Sequence, residues 1–195
     1  MWSRDAWRSL GTPYRRLLLA LLVFTLGNST DAFLLLRLSE AGIAAGVIAL
    51  LWSGLHLVKM LSSWWGGRWS DRRGRRVTLL AGWVVYAAVY AGFALAEAPV
   101  PLAALFLAYG VHFGLAEPAE KAWVVDLVPA GLRGTALGGY HAVVGLAALP
   151  ASLLFGLLWT RLSPAAAFAT GAALALLAAL LLLRVPRTAP VLSPP

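Results

Sequence analysis

Six apolar stretches run through the 195-residue chain, and each is long enough to cross a lipid bilayer as a helix. A spanning helix needs about 20 residues. Charged residues make up 12% of the chain, about half the share of a soluble domain, so a water-soluble fold could not hide these stretches. The pattern predicts an all-α integral membrane protein. The expected spans are Leu17–Leu36, Ala44–Trp65, Val77–Ala96, Val100–Val124, Thr135–Trp159 and Ala165–Leu183.

The basic residues predict the orientation of the spans, because Lys and Arg accumulate on the cytoplasmic side of membrane proteins. With both termini in the cytoplasm, only Arg37 and Arg161 fall outside. We expect a cytoplasmic segment at 1–16, a six-helix domain at 17–184 and a cytoplasmic tail at 185–195, in a prokaryotic inner membrane. The basic residues on the cytoplasmic side are Arg4, Arg8, Arg15, Arg16, Arg68, Arg72, Arg73, Arg75, Arg76, Lys121, Arg133, Arg184 and Arg187.

Composition and motifs exclude several functions. A net charge of +8 suggests nucleic acid in a soluble protein, but here the arginines flank apolar runs, so no nucleic-acid partner is expected. Cysteine is absent, and the three histidines lie in three spans without metal-ligand spacing. No nucleophile elbow, His-Glu zinc pair or phosphate loop is present. We therefore expect no enzyme activity, no cofactor and no metal, with the lipid bilayer as the surroundings.

Ionisable residues inside the spans are the candidates for function, because each costs about 2.5–3.5 kcal/mol at the bilayer centre. They occur in the first, second, fourth and fifth spans, so we expect these four to surround a wet path and the third and sixth to face lipid. Lys59 could instead snorkel, Glu117 could lie at the interface, and a histidine could simply bond to a neighbouring helix. The candidate path residues are Asn28, Asp31, His56, Lys59, His112 and His141.

The fifth span carries small residues at spacings of three and four, which place them on one face of a helix. Such a face lets another backbone approach closely. We expect this face to move against a partner helix. Its members are Gly134, Gly138, Ala142, Gly145, Ala148, Ser152 and Gly156.

The stretch GGRWSDRRGRRV between the second and third spans contains the pattern G-x-x-x-D-R-x-G-R-R. It resembles the signature of the major facilitator superfamily, which lies in the cytoplasmic loop between the second and third helices of a six-helix half. A bulky Trp69 departs from that pattern. A positive-inside anchor alone would explain the arginines but not the aspartate or the glycines. The matching residues are Gly67, Asp71, Arg72, Gly74, Arg75 and Arg76.

The resemblance covers the chain as the C-terminal half of a transporter, so it implies one half of a major facilitator superfamily fold. Members have two halves with substrate bound between them. It implies a secondary transporter half that works by alternating access on a small organic solute, with proton-coupled efflux as one option. Its partner would be an N-terminal half or a second copy. The alternative is a non-transporting membrane subunit or a fragment of a full-length transporter.

The same resemblance gives the signature a role as a conformational latch. Asp71 would accept from the N-terminus of a helix in the opposing half, where the helix dipole favours an anion. The signature arginines would pair with acidic residues at the cytoplasmic end of the fourth span. These latch partners are Glu117, Glu120 and Asp126.

Overall fold

The computed structural model describes residues 9–186, in which every regular element is helical. By length and composition, six helical stretches can span a membrane, with α1 and α2 forming the first, which confirms the predicted all-α architecture. Residues 1–8 and 187–195 of the predicted terminal segments lie outside the described part. The helices are α1 (Gly11–Gly27), α2 (Ala32–Glu40), α3 (Ala45–Arg73), α4 (Arg75–Leu95), α5 (Pro99–Asp126), α6 (Arg133–Arg161, after a 3-10 turn at Ala130–Leu132) and α7 (Pro164–Leu182).

The first span is broken at residues 28–31, where the sequence reads Asn-Ser-Thr-Asp. Asn28 has extended backbone angles (φ −98°, ψ 92°). These short polar side chains compete with the helix for backbone hydrogen bonds. The carbonyl of Gly27 receives a hydrogen bond from Tyr86 Oη at 2.8 Å. The expectation of one continuous helix over this span is therefore wrong. The break is tolerated because Tyr86, from the third span, donates to the carbonyl that is freed at Gly27.

The helix of the second span is longer than predicted. The expectation that the signature lies in a loop is wrong, because its residues lie on helices on either side of Gly74. Helix α3 continues through Arg73, and α4 begins at Arg75, so Gly74 alone joins them. Arginines in the last turn are favourable at the negative end of the helix dipole. Gly74 has φ +90° and ψ 151°, a conformation open essentially to glycine alone. We call this end of the bundle the arginine-rich end.

The helices pack as an arc in the order α3, α5, α4, α7, α1, α6. Glycines permit two close approaches. A Cβ on Gly27 of α1 would meet the Gly171 carbonyl oxygen of α7 at 2.9 Å, and one on Gly66 of α3 would collide with the Gly114 carbonyl of α5. The core behind the cleft is aromatic, with Phe24 stacked on Trp83 at 4.6 Å between ring centroids. Helices α3 and α6 end the arc, and a cleft lies between them.

The last span starts with an explicit helix-start signal. Ser163 caps α7, and its Oγ accepts from the Ala166 amide at 3.0 Å. Pro164 occupies the first helical position, where its missing N–H costs nothing. The sixth span packs beside the first and third, on the side of the arc away from the cleft.

Candidate functional site

An open cleft of about 360 Å³ is lined by the first, second, fourth and fifth spans. These are the spans that carry the ionisable residues. Apolar walls come from Leu21, Phe24, Phe113, Ala116 and Val144. The polar lining consists of Thr25, Asn28, Lys59, His112, Glu117, Glu120, Lys121, Tyr140 and His141. The cleft thus combines cations, carboxylates and neutral donors in one space.

Glu120 lies inside the cleft and not at a surface latch. Its side chain is 8% exposed. Oε2 accepts from Tyr140 Oη at 2.9 Å, and Oε1 accepts from Trp83 Nε1 at 3.3 Å. These two donors from α6 and α4 replace the water that the buried carboxylate has lost. The structure therefore places Glu120 apart from the signature arginines.

His112 lies in the same buried layer of the cleft and is 3% exposed. Its Nδ1 is 3.0 Å from the carbonyl oxygen of Gly82. Because a carbonyl only accepts, this bond needs the hydrogen on Nδ1. The bond orients the ring and leaves Nε2 as an acceptor in the neutral form.

Asp31 sits at the break in the first span, immediately before α2. Tyr109 Oη donates to Asp31 Oδ1 at 3.1 Å and lies 3.5 Å from Asn28 Oδ1. The broken helix thus brings two predicted path residues to one tyrosine of the fourth span.

Lys59 and two histidines complete the predicted path. The Lys59 ammonium lies 3.6 Å from the centroid of the Phe113 ring, a cation–π contact at the cleft wall. His141 is exposed and lines the cleft. His56 is exposed, with Nδ1 bonded to the Trp52 carbonyl of its own helix at 2.9 Å, and it is not among the residues lining the cleft.

Arg75 organises the arginine-rich end. Its Nη1 donates to Asp71 Oδ1 at 2.6 Å and to Ser70 Oγ at 3.0 Å, while Nε donates to Asp126 Oδ2 at 3.2 Å. One guanidinium thereby ties the end of α3 and the start of α4 to the end of α5. Arg76 donates to the Leu183 carbonyl at 2.7 Å and so holds the end of α7.

The other predicted ion pairs between the signature arginines and the fourth span do not form among the described residues. Glu117 pairs with Lys121 one turn later on α5, at 2.7 Å. Arg72 forms no ion pair with any residue between 9 and 186. Of the expected pairs between the signature and the fourth span, the structure forms Arg75–Asp126, because only that carboxylate lies at the helix end that faces α4.

The small-residue face of α6 looks out of this bundle. Added Cβ atoms at Gly134, Gly138 and Gly145 would meet nothing within 4 Å, and one at Gly156 would touch the Phe33 ring at 3.4 Å. The face runs beside the cleft, next to His141. Among residues 9–186, nothing therefore packs closely against the glycines of this face between Gly134 and Gly145.

Sequence reasoning missed the aromatic donors of the site, Trp83, Tyr109 and Tyr140. Their polar tips inside apolar spans are a usable signal, since buried tyrosine and tryptophan usually find a hydrogen-bond partner. Their partners depend on helix packing. Within residues 9–186, no three His, Asp or Glu side chains converge in a group that could hold a metal ion.

The sequence model of the Major Facilitator Superfamily matches residues 17–195. An uncharacterised MFS-type transporter of Methanocaldococcus jannaschii is 36% identical over 170 residues, which cover 83% of this chain and 42% of that protein.

Solved structures share the fold. The inward-open xylose transporter XylE from E. coli aligns with a TM-score of 0.71 at 17% identity, over 90% of this chain and 48% of that one. The POT family transporter PepTSo aligns with a TM-score of 0.67 at 16% identity, over 94% of this chain and 40% of that one. The chain spans about half the length of the proteins it matches.

Proposed function

The chain belongs to the major facilitator superfamily, and we propose that it forms one six-helix half of a secondary transporter that works by alternating access. The observation that carries this proposal is the open polar cleft between α3 and α6. Family members bind substrate near the bilayer midplane between two halves. A half with one polar concave face is what such a site requires.

The second half docks on α3 and α6, which flank the cleft. Only 6% of the apolar window of the second span and 17% of that of the fifth are buried, against 44–50% for the other four. The small-residue face of α6 gives the partner backbone a close approach. The partner is a separate N-terminal half or a second copy of this chain.

The path for a small organic solute runs past Asn28, Asp31, Lys59, His112 and His141. His56 belongs to it as a polar residue of α3 outside the cleft lining, and Glu120 joins it as a buried carboxylate with hydroxyl and indole donors. Intramembrane ionisable groups of this kind carry protons in pumps and transporters. Proton coupling, with Asp31 or a histidine as the carrier and efflux as the direction, is the form of transport that we propose.

The signature acts as the latch at the cytoplasmic end, with both termini on that side of a prokaryotic inner membrane. Arg75 holds three helix ends together, while Asp71, 69% exposed, remains accessible to a helix N-terminus of the opposing half. Gly67 and Arg72 lie beside it on the exposed end of α3. Opening exchanges these contacts for others within the arginine-rich end.

The first experiment measures the mass of the complex extracted in mild detergent from native membranes. Two six-helix units in one discrete assembly support the proposal. A lone chain of 20.7 kDa without any partner would instead favour a non-transporting subunit or a fragment. Because the chain has no cysteine, Gly138→Cys can report the partner by cross-linking. Leu177→Cys, 47% exposed on α7, is the control that should not cross-link.

A second experiment tests the latch. In the assembled transporter, a cysteine introduced at His141 is labelled from each side of the membrane in turn. We expect Asp71→Asn to leave insertion intact but to shift the ratio of inside to outside labelling. Identical labelling ratios with and without Asp71→Asn would contradict the proposed latch.

A further inference from the structure

A second concavity lies between α3 and α5 near the arginine-rich end, with a volume of about 610 Å³. Three tryptophans and two arginines of α3 form one wall, and Val111 and Leu115 of α5 form the other. We call it the tryptophan groove. It is larger than the polar cleft, and of its lining residues only Arg72 belongs to the signature and none to the transport path.

The tryptophan groove opens on the side of the bundle opposite the cleft. Val111 and Leu115 each lie two positions before a cleft residue, Phe113 and Glu117 respectively. At 3.6 residues per turn, two positions rotate the side chain by about 200°. The groove therefore points away from the cleft, and a second half that docks across the cleft leaves it open.

Two guanidinium groups in the groove are without acidic partners. Arg68 and Arg72 lie one turn apart on α3, and neither forms an ion pair within the described range. The intervening acid, Asp71, is bonded to Arg75. The Arg68 guanidinium carbon lies 4.6 Å from the centroid of the Trp64 ring, a cation–π contact. Such groups match a phosphate in bidentate geometry.

The occupant must therefore carry a phosphate and an apolar body. From Trp64 to Arg72 the wall rises by about 12 Å, enough for the headgroup layer of one leaflet and the upper acyl chains. Trp64 and Trp65 are 62% and 71% exposed, so their indoles offer apolar area beside the arginines. A simple aromatic belt would provide this area without the concavity or the paired arginines.

We propose that the tryptophan groove binds one anionic phospholipid. Its phosphate lies on Arg68 and Arg72, and its acyl chains run along Val111, Leu115 and the exposed indoles. The positively charged choline of phosphatidylcholine would find no carboxylate partner among the lining residues. The groove therefore prefers a lipid with net negative charge.

The test titrates the purified full chain in detergent with phosphatidylglycerol or phosphatidylcholine and counts bound lipid by native mass spectrometry. Arg72→Gln and Arg73→Gln form a matched pair, because they remove the same charge from adjacent positions and only Arg72 lines the groove. We expect Arg72→Gln to weaken phosphatidylglycerol binding about tenfold. Arg73→Gln should weaken it by less than about threefold.

Val111→Phe adds a bulky ring to the α5 wall of the groove without any change in charge, and it should also weaken the binding of one phosphatidylglycerol. It decides the question alone if Arg72→Gln does not fold. Equal losses for the two arginine variants, or equal binding of phosphatidylcholine, would overturn the proposal. So would soluble glycerol 3-phosphate binding as tightly as the lipid, which would indicate a site for a free anion.

Discussion

Replacement of Gly66 by alanine should loosen the tightest contact in the bundle, between α3 and α5. The new Cβ would lie 2.8 Å from the carbonyl carbon of Gly114, 3.2 Å from the Cα of Leu115, and closer still to the Gly114 oxygen. Carbon atoms prefer about 3.5 Å or more, so the helices must separate by at least about 0.7 Å. All three atoms are helix backbone and cannot rotate away. Overpacking of this kind costs about 1–3 kcal/mol.

Gly67→Ala is the matched control, because an added Cβ there meets nothing within 4 Å. Both variants gain the same helix propensity of about 1 kcal/mol, which cancels in their comparison. For a chain of this size, each kcal/mol shifts the Tm by roughly 2–4 °C. The assay is a thermal melt of the detergent-solubilised protein followed by size-exclusion chromatography. A Tm for Gly66→Ala equal to or above that of Gly67→Ala would refute the backbone contact.

Three further substitutions test the helix junctions. Gly74→Ala should destabilise the folded protein by about 1–3 kcal/mol, because residue 74 has a positive φ. Gly131→Ala should not, because Gly131 lies in open space with an ordinary φ. Thermal melts of the two variants compare these effects. Tyr86→Phe removes the hydrogen-bond donor at the break in the first span and should lower the stability by about 1–3 kcal/mol in the same melts. Tyr90→Phe should cost less, because the hydrogen bond between the Tyr90 hydroxyl and Ser29 Oγ is 3.4 Å long. Arg75→Lys should cost less than about 1 kcal/mol, because its carboxylate partners are half exposed or more. It should nevertheless speed hydrogen exchange at the α3–α4 junction, and unchanged exchange would contradict the role of the guanidinium fork.

The number and order of the spans follow from the sequence, because each apolar run must satisfy its backbone internally in lipid. The helix ends were predicted less well. Charge suggested that α3 would stop at Trp65, yet arginines are compatible with a helix C-terminus, and Gly74 marks the true end. The break at Asn28 was visible as a cluster of polar residues, but its stability depends on Tyr86 from another span.

The sequence was enough to predict which spans line the site, but not which side chains contact each other within it. Ionisable residues indicated which four spans surround the cleft, since each buried charge needs a shared polar space. Glu120 shows the limit of this reasoning. Its sequence neighbours place it near the arginine-rich end, but its packing against Trp83 and Tyr140 turns it into the cleft. That orientation depends on three helices at once.

The single-residue junction at Gly74 has a mechanical consequence. Helix α3 is a rod of 29 residues, about 43 Å long. A tilt of about 5° about this pivot therefore carries its far end through nearly 4 Å. Because no slack chain separates α3 from α4, the junction does not absorb such a swing. Small rearrangements at the arginine-rich end are thus magnified, by leverage alone, at the opposite end of α3.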